Sequence, residues 1–208
     1  MKVEFFYDCS SPFTYLGFHN LEAMARELSF AVIWRPILVG GVFNAVNQSV
    51  YATRAAPVAA KEAYFKKDIQ DWARRAGLTI KFPPSVFPVN SVKAMRGCVF
   101  LAAEGKDLSF ARAAFEAHWR DDEDIALEPV LARLCTGIGV EPERFFAGIA
   151  EPRVKERLRA NTDELIARGG FGSPTVFING GEMYFGNDRL IFVRDAVGRR
   201  DREAQREP

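Results

Sequence analysis

The sequence contains few of the residues on which disulfide frameworks and structural metal sites depend. Among its 208 residues there are 3 cysteines and 2 histidines. Cys9, Cys98 and Cys135 are widely spaced and form neither a Cys-x-x-Cys pair nor a His/Cys cluster. Their number and spacing argue against a disulfide framework, offer no ligand set for zinc and favour a reducing compartment. We therefore predict no metal site, and the roles of the three cysteines stay open.

Long apolar runs and an excess of one charge are also absent. No apolar run reaches membrane-spanning length, and the chain begins on a strand-like run without a cleavable leader pattern. Lys and Arg total 28 and Asp and Glu total 27, so the net charge of +1 gives no electrostatic case for nucleic acid. We expect a cytoplasmic protein whose partner is a small molecule, and not nucleic acid or a membrane.

The opening of the chain predicts a βαβ unit. The apolar run Val3–Tyr7 is typical of a buried strand. Pro12 stands where the first turn of a helix accepts proline, and apolar residues then recur at helical spacing up to Leu28. Phe30–Arg35 indicates a second strand, which a helical crossover would set parallel to the first. Ser11 therefore lies at a helix N-terminus, where unpaired N–H groups and the helix dipole stabilise anions, thiolates included.

The middle of the chain predicts mostly helices. An irregular stretch from Gly40 to Pro57 precedes them, and the proline-containing segment Lys81–Asn90 interrupts them. The predicted helices are Ala59–Ala76, Ser91–Ala103, Leu108–Trp119, Leu127–Thr136, Pro142–Ile149 and Pro152–Arg168.

Near its end the sequence returns to the β period. Thr175–Ile178 and Met183–Phe185 flank the segment Asn-Gly-Gly-Glu, which is a strong hairpin signal. A helical run follows through Val197, and a charged tail begins at Arg199. The predicted order is βαβ, a long helical insertion, then ββα.

Two stretches at opposite ends of the chain resemble the same family. The first is Ser11-Pro12-Phe13-Thr14, and the second is Phe171-Gly172-Ser173-Pro174-Thr175, followed by Phe185-Gly186-Asn187-Asp188-Arg189-Leu190. Both are similar to segments of the glutathione-dependent, DsbA-like branch of the thioredoxin superfamily. That branch contains 2-hydroxychromene-2-carboxylate isomerases and kappa-class glutathione transferases. In it, a serine followed by proline replaces the first cysteine of the Cys-x-x-Cys motif.

The order of elements and the resemblance together predict an α/β, thioredoxin-like fold interrupted by a large all-helical insertion domain. The thioredoxin-like domain would be discontinuous and comprise residues 1–38 and 170–198. The insertion would comprise residues 39–169, and residues 199–208 would form a charged, disordered tail.

The resemblance also implies a glutathione site and assigns residues to it. Ser11 would activate the glutathione thiol. Ser173, before a cis Pro174, would pair its main chain with the cysteinyl unit, while Asn187 and Asp188 would hold the γ-glutamyl carboxylate and ammonium groups. Each residue has a structural alternative as well. Ser11, Asn187 and Asp188 are typical helix caps, and Pro174 is acceptable at the start of a strand.

Weaker correspondences extend this site. Asn47 matches an asparagine that reaches the thiol or the substrate, although its neighbours depart from the family pattern and leave the register open by a residue or two. Lys61 matches a lysine that contacts the glycine carboxylate of glutathione, and the alternative is a lysine that only solvates a helix. Phe13 and Asn90 would line the substrate side, and Asn90 is also a candidate N-cap.

The serine decides which chemistry the motif permits. Serine cannot form a mixed disulfide, so dithiol exchange at this position is excluded. If a glutathione thiolate adds to an unsaturated carbonyl compound and later leaves, the result is isomerisation and glutathione is a cofactor. If the adduct leaves, the enzyme is a transferase.

We predict a glutathione-dependent isomerase of an unsaturated aromatic carbonyl or hemiketal compound such as 2-hydroxychromene-2-carboxylate. A kappa-class-like glutathione transferase is the alternative within the family. An alternative of another class is a thioredoxin-fold binding module without catalysis. Family relatives also suggest a homodimer.

Overall fold

A four-stranded mixed sheet organises the chain. The computed structural model describes the backbone of residues 1–204 and the side chains of residues 1–199. β1 runs parallel to β2 and antiparallel to β3, which pairs antiparallel with β4. All five residues of β1 are buried, because this strand lies between two others and both of its faces are covered: Phe5 and Tyr7 lie in one core cluster and Phe6 in another. The strands, in the spatial order β2-β1-β3-β4, are β1 (Val3–Tyr7), β2 (Val32–Pro36), β3 (Thr175–Ile178) and β4 (Glu182–Phe185).

Helix α1 (Pro12–Glu27) connects β1 to β2 and confirms the predicted βαβ unit. Ser11 has the extended backbone of an N-cap residue, with φ −117° and ψ 127°, and Pro12 begins the helix. The helix approaches the segment before β3 closely at Gly17. A Cβ added to Gly17 would lie 3.1 Å from Cγ of Pro174, so a larger residue would separate the two segments.

Between β2 and β3 the chain is helical. A short 3₁₀ turn, Ala102–Glu104, follows the fourth of these helices. The predicted helices from Ala59 onward are confirmed, with ends that differ by a few residues. The helices are α2 (Val39–Val46), α3 (Ser49–Ala55), α4 (Ala59–Ala76), α5 (Val92–Leu101), α6 (Asp107–Trp119), α7 (Glu128–Gly137), α8 (Pro142–Ala150) and α9 (Pro152–Ala167).

The prediction of an irregular stretch from Gly40 to Pro57 is wrong, because α2 and α3 occupy most of these residues. Glycine disfavours a helix by about 1 kcal/mol relative to alanine. Tertiary packing outweighs that cost here. Val42 is fully buried in a small core that α2 forms with α9 and the sheet. A Cβ on Gly41 would lie 3.4 Å from Cγ2 of Thr162 on α9, which is an ordinary van der Waals contact and shows that this face of α2 packs against α9.

The hairpin and the last helix are confirmed, but the tail prediction is partly wrong. A short 3₁₀ turn, Asn187–Arg189, precedes α10 (Leu190–Ala204). The helix therefore continues beyond Arg199, where a disordered tail was expected. Its last residues are arginine, aspartate, glutamate and alanine, all of which a helix accepts more readily than glycine or proline. Residues 205–208 of the predicted tail lie outside the described residues.

Besides the small core around Val42, the sheet and most helices share one large hydrophobic core. Tyr7 of β1 belongs to the same buried cluster as Met95 of α5 and Phe115 of α6. This core contains residues from both sides of the predicted domain boundaries at 38/39 and 169/170, and these boundaries stay a prediction. Within residues 1–204, no helix combines the length and the apolar character required to cross a membrane.

Candidate functional site

Ser11 caps α1 at the edge of a cleft. Its Oγ accepts a hydrogen bond from the main-chain N–H of Thr14 at 3.2 Å, so the capping role considered above is present. Among the residues that the structure describes, the Ser11 hydroxyl donates to no protein acceptor. Capping uses the acceptor side of a hydroxyl oxygen and leaves its proton for another group. Ser11 can therefore cap the helix and donate to a ligand at the same time.

The cleft brings Ser11 together with three other predicted site residues, Phe13, Asn90 and Ser173. Its volume is about 370 Å³, within the range of small-molecule sites. Asn90 also has the local role considered for it, since its Oδ1 accepts from the N–H of Val92 at 3.1 Å. The lining residues come from six segments: the β1–α1 turn with the start of α1, α2 with the loop before it, α3, α4, the loop leading into α5, and the segment before β3.

An aromatic chain forms part of the cleft. The rings of Phe13 and Phe65 meet edge to face with centroids 5.4 Å apart. Phe65 then contacts Phe82 at 5.2 Å, and Phe82 contacts Phe87 at 5.4 Å, again edge to face. Such contacts are favourable beyond the area they bury and hold the rings in fixed orientations. The cleft therefore offers apolar ring surfaces beside the Ser11 hydroxyl.

Ser173 joins the end of the chain to the start of α1. Its Oγ lies 2.8 Å from Oγ1 of Thr14, and the Ser173–Pro174 peptide bond is cis, as predicted. The carbonyl of Pro174 accepts from Gly186 at 3.0 Å. Within the described part of the chain, the main-chain N–H and C=O of Ser173 form no hydrogen bond. These two groups can therefore pair with a ligand in the cleft.

The sequence analysis missed Asp8, a buried residue that lines the cleft and is 1% exposed. Its carboxylate accepts from the main-chain N–H of Ser10 at 2.9 Å and of Val39 at 2.8 Å. Burial raises the pKa of Asp8, and hydrogen bonds from Ser10, Val39 and Ser91 offset only part of that rise. The one signal in the sequence was its position directly after a buried strand. Asp8 ties the serine turn to the start of α2.

Arg54 was also missed, because it lies on α3, which was not predicted. It lines the cleft together with Phe43 and Phe87. Its guanidinium carbon lies 5.7 Å from the centroid of the Phe43 ring and 5.6 Å from that of Phe87. Arg54 thus contacts aromatic rings from two different segments of the cleft.

Asn187 and Asp188 line a second pocket, of about 380 Å³, with residues of α1, α4 and α10. Asn187 is 3% exposed and accepts from Nδ2 of Asn20 at 2.9 Å. Its own Nδ2 is buried without a hydrogen-bond partner among the described residues, and such an unpaired donor is costly. Asp188 forms an ion pair with Arg189. The two pockets lie at different positions along the contact between α1 and α4, since Phe65 of α4 lines the first and Trp72 the second.

Asn47 and Lys61 line neither pocket. Asn47 donates to the carbonyl of Phe171 at 3.1 Å and accepts from Ser49 at 2.9 Å, so its side chain joins the α2–α3 turn to the segment before β3. Lys61 is exposed in the first turn of α4, four residues before the cleft-lining Phe65. The structure brings Lys61 to the same helix face as that ring, and leaves Asn47 as a bridge between two segments.

The three cysteines are buried free thiols. Burial raises the pKa of the Cys9 thiol far above its usual range, and the neighbouring Cys98 adds to this rise. Burial also raises the pKa of Cys135 to about 12. The carbonyl of Cys9 accepts from Nε1 of Trp119 at 2.9 Å, which anchors the turn before Ser11 to α6. Cys9 and Cys135 therefore stay protonated, and Cys9 has a packing role beside the cleft.

Comparison with known proteins agrees with this geometry. Residues 2–198 match the model of the DSBA-like thioredoxin domain. The chain belongs to this family. It is 30% identical to 2-hydroxychromene-2-carboxylate isomerase of Pseudomonas putida, over 96% of this chain and 95% of that protein. It is 26% identical to glutathione S-transferase kappa 1 of Homo sapiens, over 94% of this chain and 90% of that protein.

A solved structure supports the same assignment. The structure of a selenomethionine 2-hydroxychromene-2-carboxylate isomerase superposes with a TM-score of 0.84 at 28% identity, covering 99% of this chain and 98% of that one. The thioredoxin-like α/β fold and the resemblance to isomerases and kappa-class transferases are therefore confirmed. These relatives are enzymes, which agrees with the expectation of an enzyme.

Proposed function

We propose that the protein is a glutathione-dependent isomerase of an unsaturated aromatic carbonyl or hemiketal compound, such as 2-hydroxychromene-2-carboxylate. The observation that carries the proposal is the Ser11 hydroxyl. It stands where a redox protein of this superfamily has a cysteine, its proton is not used by the described protein, and aromatic rings lie beside it.

Two unpaired polar sites fit glutathione as the cofactor. The main-chain N–H and C=O of Ser173 have no partner within the described chain and would pair with the cysteinyl unit beside Pro174. The buried Nδ2 of Asn187 also has no hydrogen-bond partner among the described residues and would donate to the γ-glutamyl carboxylate. Asp188 would take the γ-glutamyl ammonium group, in exchange for its pair with Arg189.

Lys61 would contact the glycine carboxylate from the first turn of α4. Asn47 would act near the thiol or the substrate, as the resemblance implies. Phe13 and Asn90 would contact the substrate within the cleft.

The cofactor would supply a thiolate that adds to the unsaturated compound and leaves again. Ser11 would donate a hydrogen bond to sulfur, and the N-terminal end of α1 would favour the negative charge. A free thiol has a pKa of ~8.5, so a decrease of about two units requires on the order of 2.7 kcal/mol. One charge-assisted hydrogen bond and a helix end together supply an effect of that size.

A kappa-class-like transferase is the second candidate, favoured by the 26% identity to glutathione S-transferase kappa 1 of Homo sapiens. Both candidates need the same thiolate and differ in whether glutathione is consumed. A binding module without catalysis needs neither a free serine proton nor the unpaired Asn187 donor, and the enzymatic relatives count against it.

Titration calorimetry with glutathione and with S-methylglutathione tests the cofactor. Near neutral pH, only glutathione can release a thiol proton on binding. We expect its binding heat to vary with the ionisation enthalpy of the buffer, and the heat for S-methylglutathione to vary less. Equal dependence for both ligands, or no binding of glutathione, would contradict the proposal.

Turnover of 2-hydroxychromene-2-carboxylate separates the two enzymatic candidates. An isomerase needs glutathione in catalytic amounts and leaves its concentration unchanged. A transferase consumes it and yields a conjugate that mass spectrometry detects. Conversion that is equally fast without glutathione would refute both.

We also propose that the protein acts in the cytoplasm and as a homodimer, as the resemblance suggests. Light scattering coupled to size-exclusion chromatography gives the mass of the particle and tests the dimer.

A further inference from the structure

Arg54 occupies an unusual position for an arginine of the cleft. Its Cζ lies 5.7 Å from the ring centroid of Phe43 on α2 and 5.6 Å from that of Phe87 in the loop before α5. Arginine over an aromatic face is attracted by the ring quadrupole. The two rings therefore hold the guanidinium between two segments that both line the cleft.

In the described part of the chain, the charge of Arg54 is not balanced by an acidic side chain. Among the residues that line the cleft, Arg54 is the cation and Asp8 is the carboxylate. Both oxygens of Asp8 accept main-chain hydrogen bonds, from Ser10 and Val39. Across residues 1–199 no carboxylate lies within 4.0 Å of the Arg54 nitrogens.

An exposed arginine ordinarily contacts only water, but Arg54 combines an unpaired guanidinium with two neighbouring aromatic rings. A guanidinium that lies over rings keeps its N–H groups at its edge, in a planar fork that matches a carboxylate. The ring surfaces of Phe13, Phe65 and Phe87 line the same cleft. A flat aromatic compound with one carboxylate satisfies both the ring surfaces and the unpaired fork.

We propose that Arg54 recognises the carboxylate of the substrate and makes the cleft selective for aromatic acids. This inference rests on the proposed function, since it assigns the group that orients the aromatic substrate in the Ser11 cleft. Phe43 and Phe87 position the guanidinium, and Ser11 donates a hydrogen bond to the sulfur that reacts with the substrate.

The test compares an aromatic acid with its uncharged ester. The probes are chromone-2-carboxylate and its methyl ester, titrated into the protein with and without S-methylglutathione. Arg54→Met keeps an unbranched apolar stem and removes the charge, whereas Arg54→Lys keeps the charge and removes the fork. Arg157→Met is the matched control, because Arg157 is an exposed arginine of α9 outside the cleft.

We expect wild type to bind the acid at least about tenfold more tightly than the ester, as for one charge-assisted pair. Arg54→Met should remove most of that preference and change the affinity for the ester less than about twofold. Arg54→Lys should retain part of it, and Arg157→Met all of it. The proposal is overturned if Arg54→Met keeps the acid preference, or if wild type shows no preference for the acid or binds neither probe.

The outcomes for this inference and for the proposed function can be told apart. If wild type turns over the substrate with glutathione while Arg54→Met retains the acid preference, only the Arg54 assignment fails. If the acid preference depends on Arg54 but glutathione neither binds nor accelerates turnover, only the glutathione mechanism fails.

Discussion

Two buried carboxylates lie near the two ends of β1, and the folded protein shifts their pKa values in opposite directions. Glu4 is fully buried; its Oε1 lies 3.0 Å from nitrogens of both Lys2 and Arg35, and its Oε2 lies 3.0 Å from a nitrogen of Arg168. Burial would raise its pKa, but these three cations together lower it below its ordinary value of 4.5. Asp8 meets main-chain N–H groups and the hydroxyls of Ser91 and Ser10, and burial raises its pKa in spite of them.

The difference separates stability from function along one strand. At the Glu4 end, charges are neutralised and the guanidinium of Arg168 also lies 3.8 Å from the ring centroid of Phe177. At the other end, beside Ser11, the buried Asp8 carboxylate pairs with no cation among residues 1–199, and its oxygens accept main-chain hydrogen bonds instead. Local choices that do not favour stability are expected at functional sites. The start of β1 therefore supports the fold, and its end supports the cleft.

The largest expected effect follows from breaking the Glu4 cluster. Glu4→Gln keeps the shape of the side chain and leaves the cations around it without their carboxylate. Removing one partner of a buried ion pair costs about 3 to 5 kcal/mol, and we expect that loss in the free energy of unfolding measured with urea near neutral pH.

Glu164→Gln is the control, because Glu164 pairs with the same Arg35 and Arg168 but is 38% exposed. Its loss should stay below about 1 kcal/mol. Equal losses for the two variants would mean that the burial of Glu4 does not matter.

Removing the Ser11 hydroxyl should have the next largest effect, and it acts at the other end of the strand. Ser11→Ala should reduce glutathione-dependent turnover by up to about 100-fold at about pH 6 to 7, if the hydroxyl and helix end shift the thiol pKa by about two units. The deficit should shrink as the pH approaches ~8.5, where a free thiol ionises without help. The measurement is the turnover rate between about pH 6 and 9.

Cys9→Ser controls for a nucleophile supplied by the protein. Cys9 is buried with a raised pKa, so its replacement should change turnover less than about twofold. Loss of the cap at Ser11 also costs about 1 kcal/mol of stability, which a denaturation curve must separate from the rate effect. If Cys9→Ser abolishes activity and Ser11→Ala keeps it, the mechanism proposed above is wrong.

The smallest predicted effect is the change with pH in the contribution of Asp8 to the free energy of unfolding. We expect it to have the opposite sign to that of Glu4. Asp8→Asn should lower the unfolding free energy by about 1 to 3 kcal/mol at acidic pH, because one main-chain N–H loses its acceptor. Since the folded protein raises the pKa of Asp8, ionisation above its ordinary value of 3.8 lowers the stability of wild type. The difference between wild type and Asp8→Asn should therefore shrink as the pH rises.

For Glu4 the sign is reversed. Its pKa is lowered in the folded protein, so its stabilisation is complete above its ordinary value of 4.5 and is lost as the pH falls further. The difference between wild type and Glu4→Gln should grow with pH. Differences that follow the same direction in both series would contradict the assignment of the two carboxylates.

The sequence allowed the strands, most helices and the position of Ser11 to be predicted, because those features depend on local periodicity and on a proline and turn residues. It did not allow α2 and α3 to be predicted. The two glycines Gly40 and Gly41 favour a loop locally, and only the packing of α2 on α9 overrides them.

The site residues that the sequence analysis missed also depend on tertiary packing. Arg54 was overlooked together with the helix that carries it. Asp8 gains its role from the N–H of Val39, 31 residues away, and no local pattern reports such a contact. The resemblance named Asn187 and Asp188, whereas their location in a second pocket became visible only in the fold.

Helix α3 buries none of its side chains, although it carries Arg54 into the cleft. Exposed positions without special contacts usually change folding free energy by less than about 0.5 kcal/mol when substituted. Most positions on this wall of the cleft can therefore exchange residues while β1, α1 and the Glu4 cluster preserve the scaffold. A lineage of such proteins can acquire new substrates through a helix on which the fold hardly depends, and the residues around Ser11 need not change when it does.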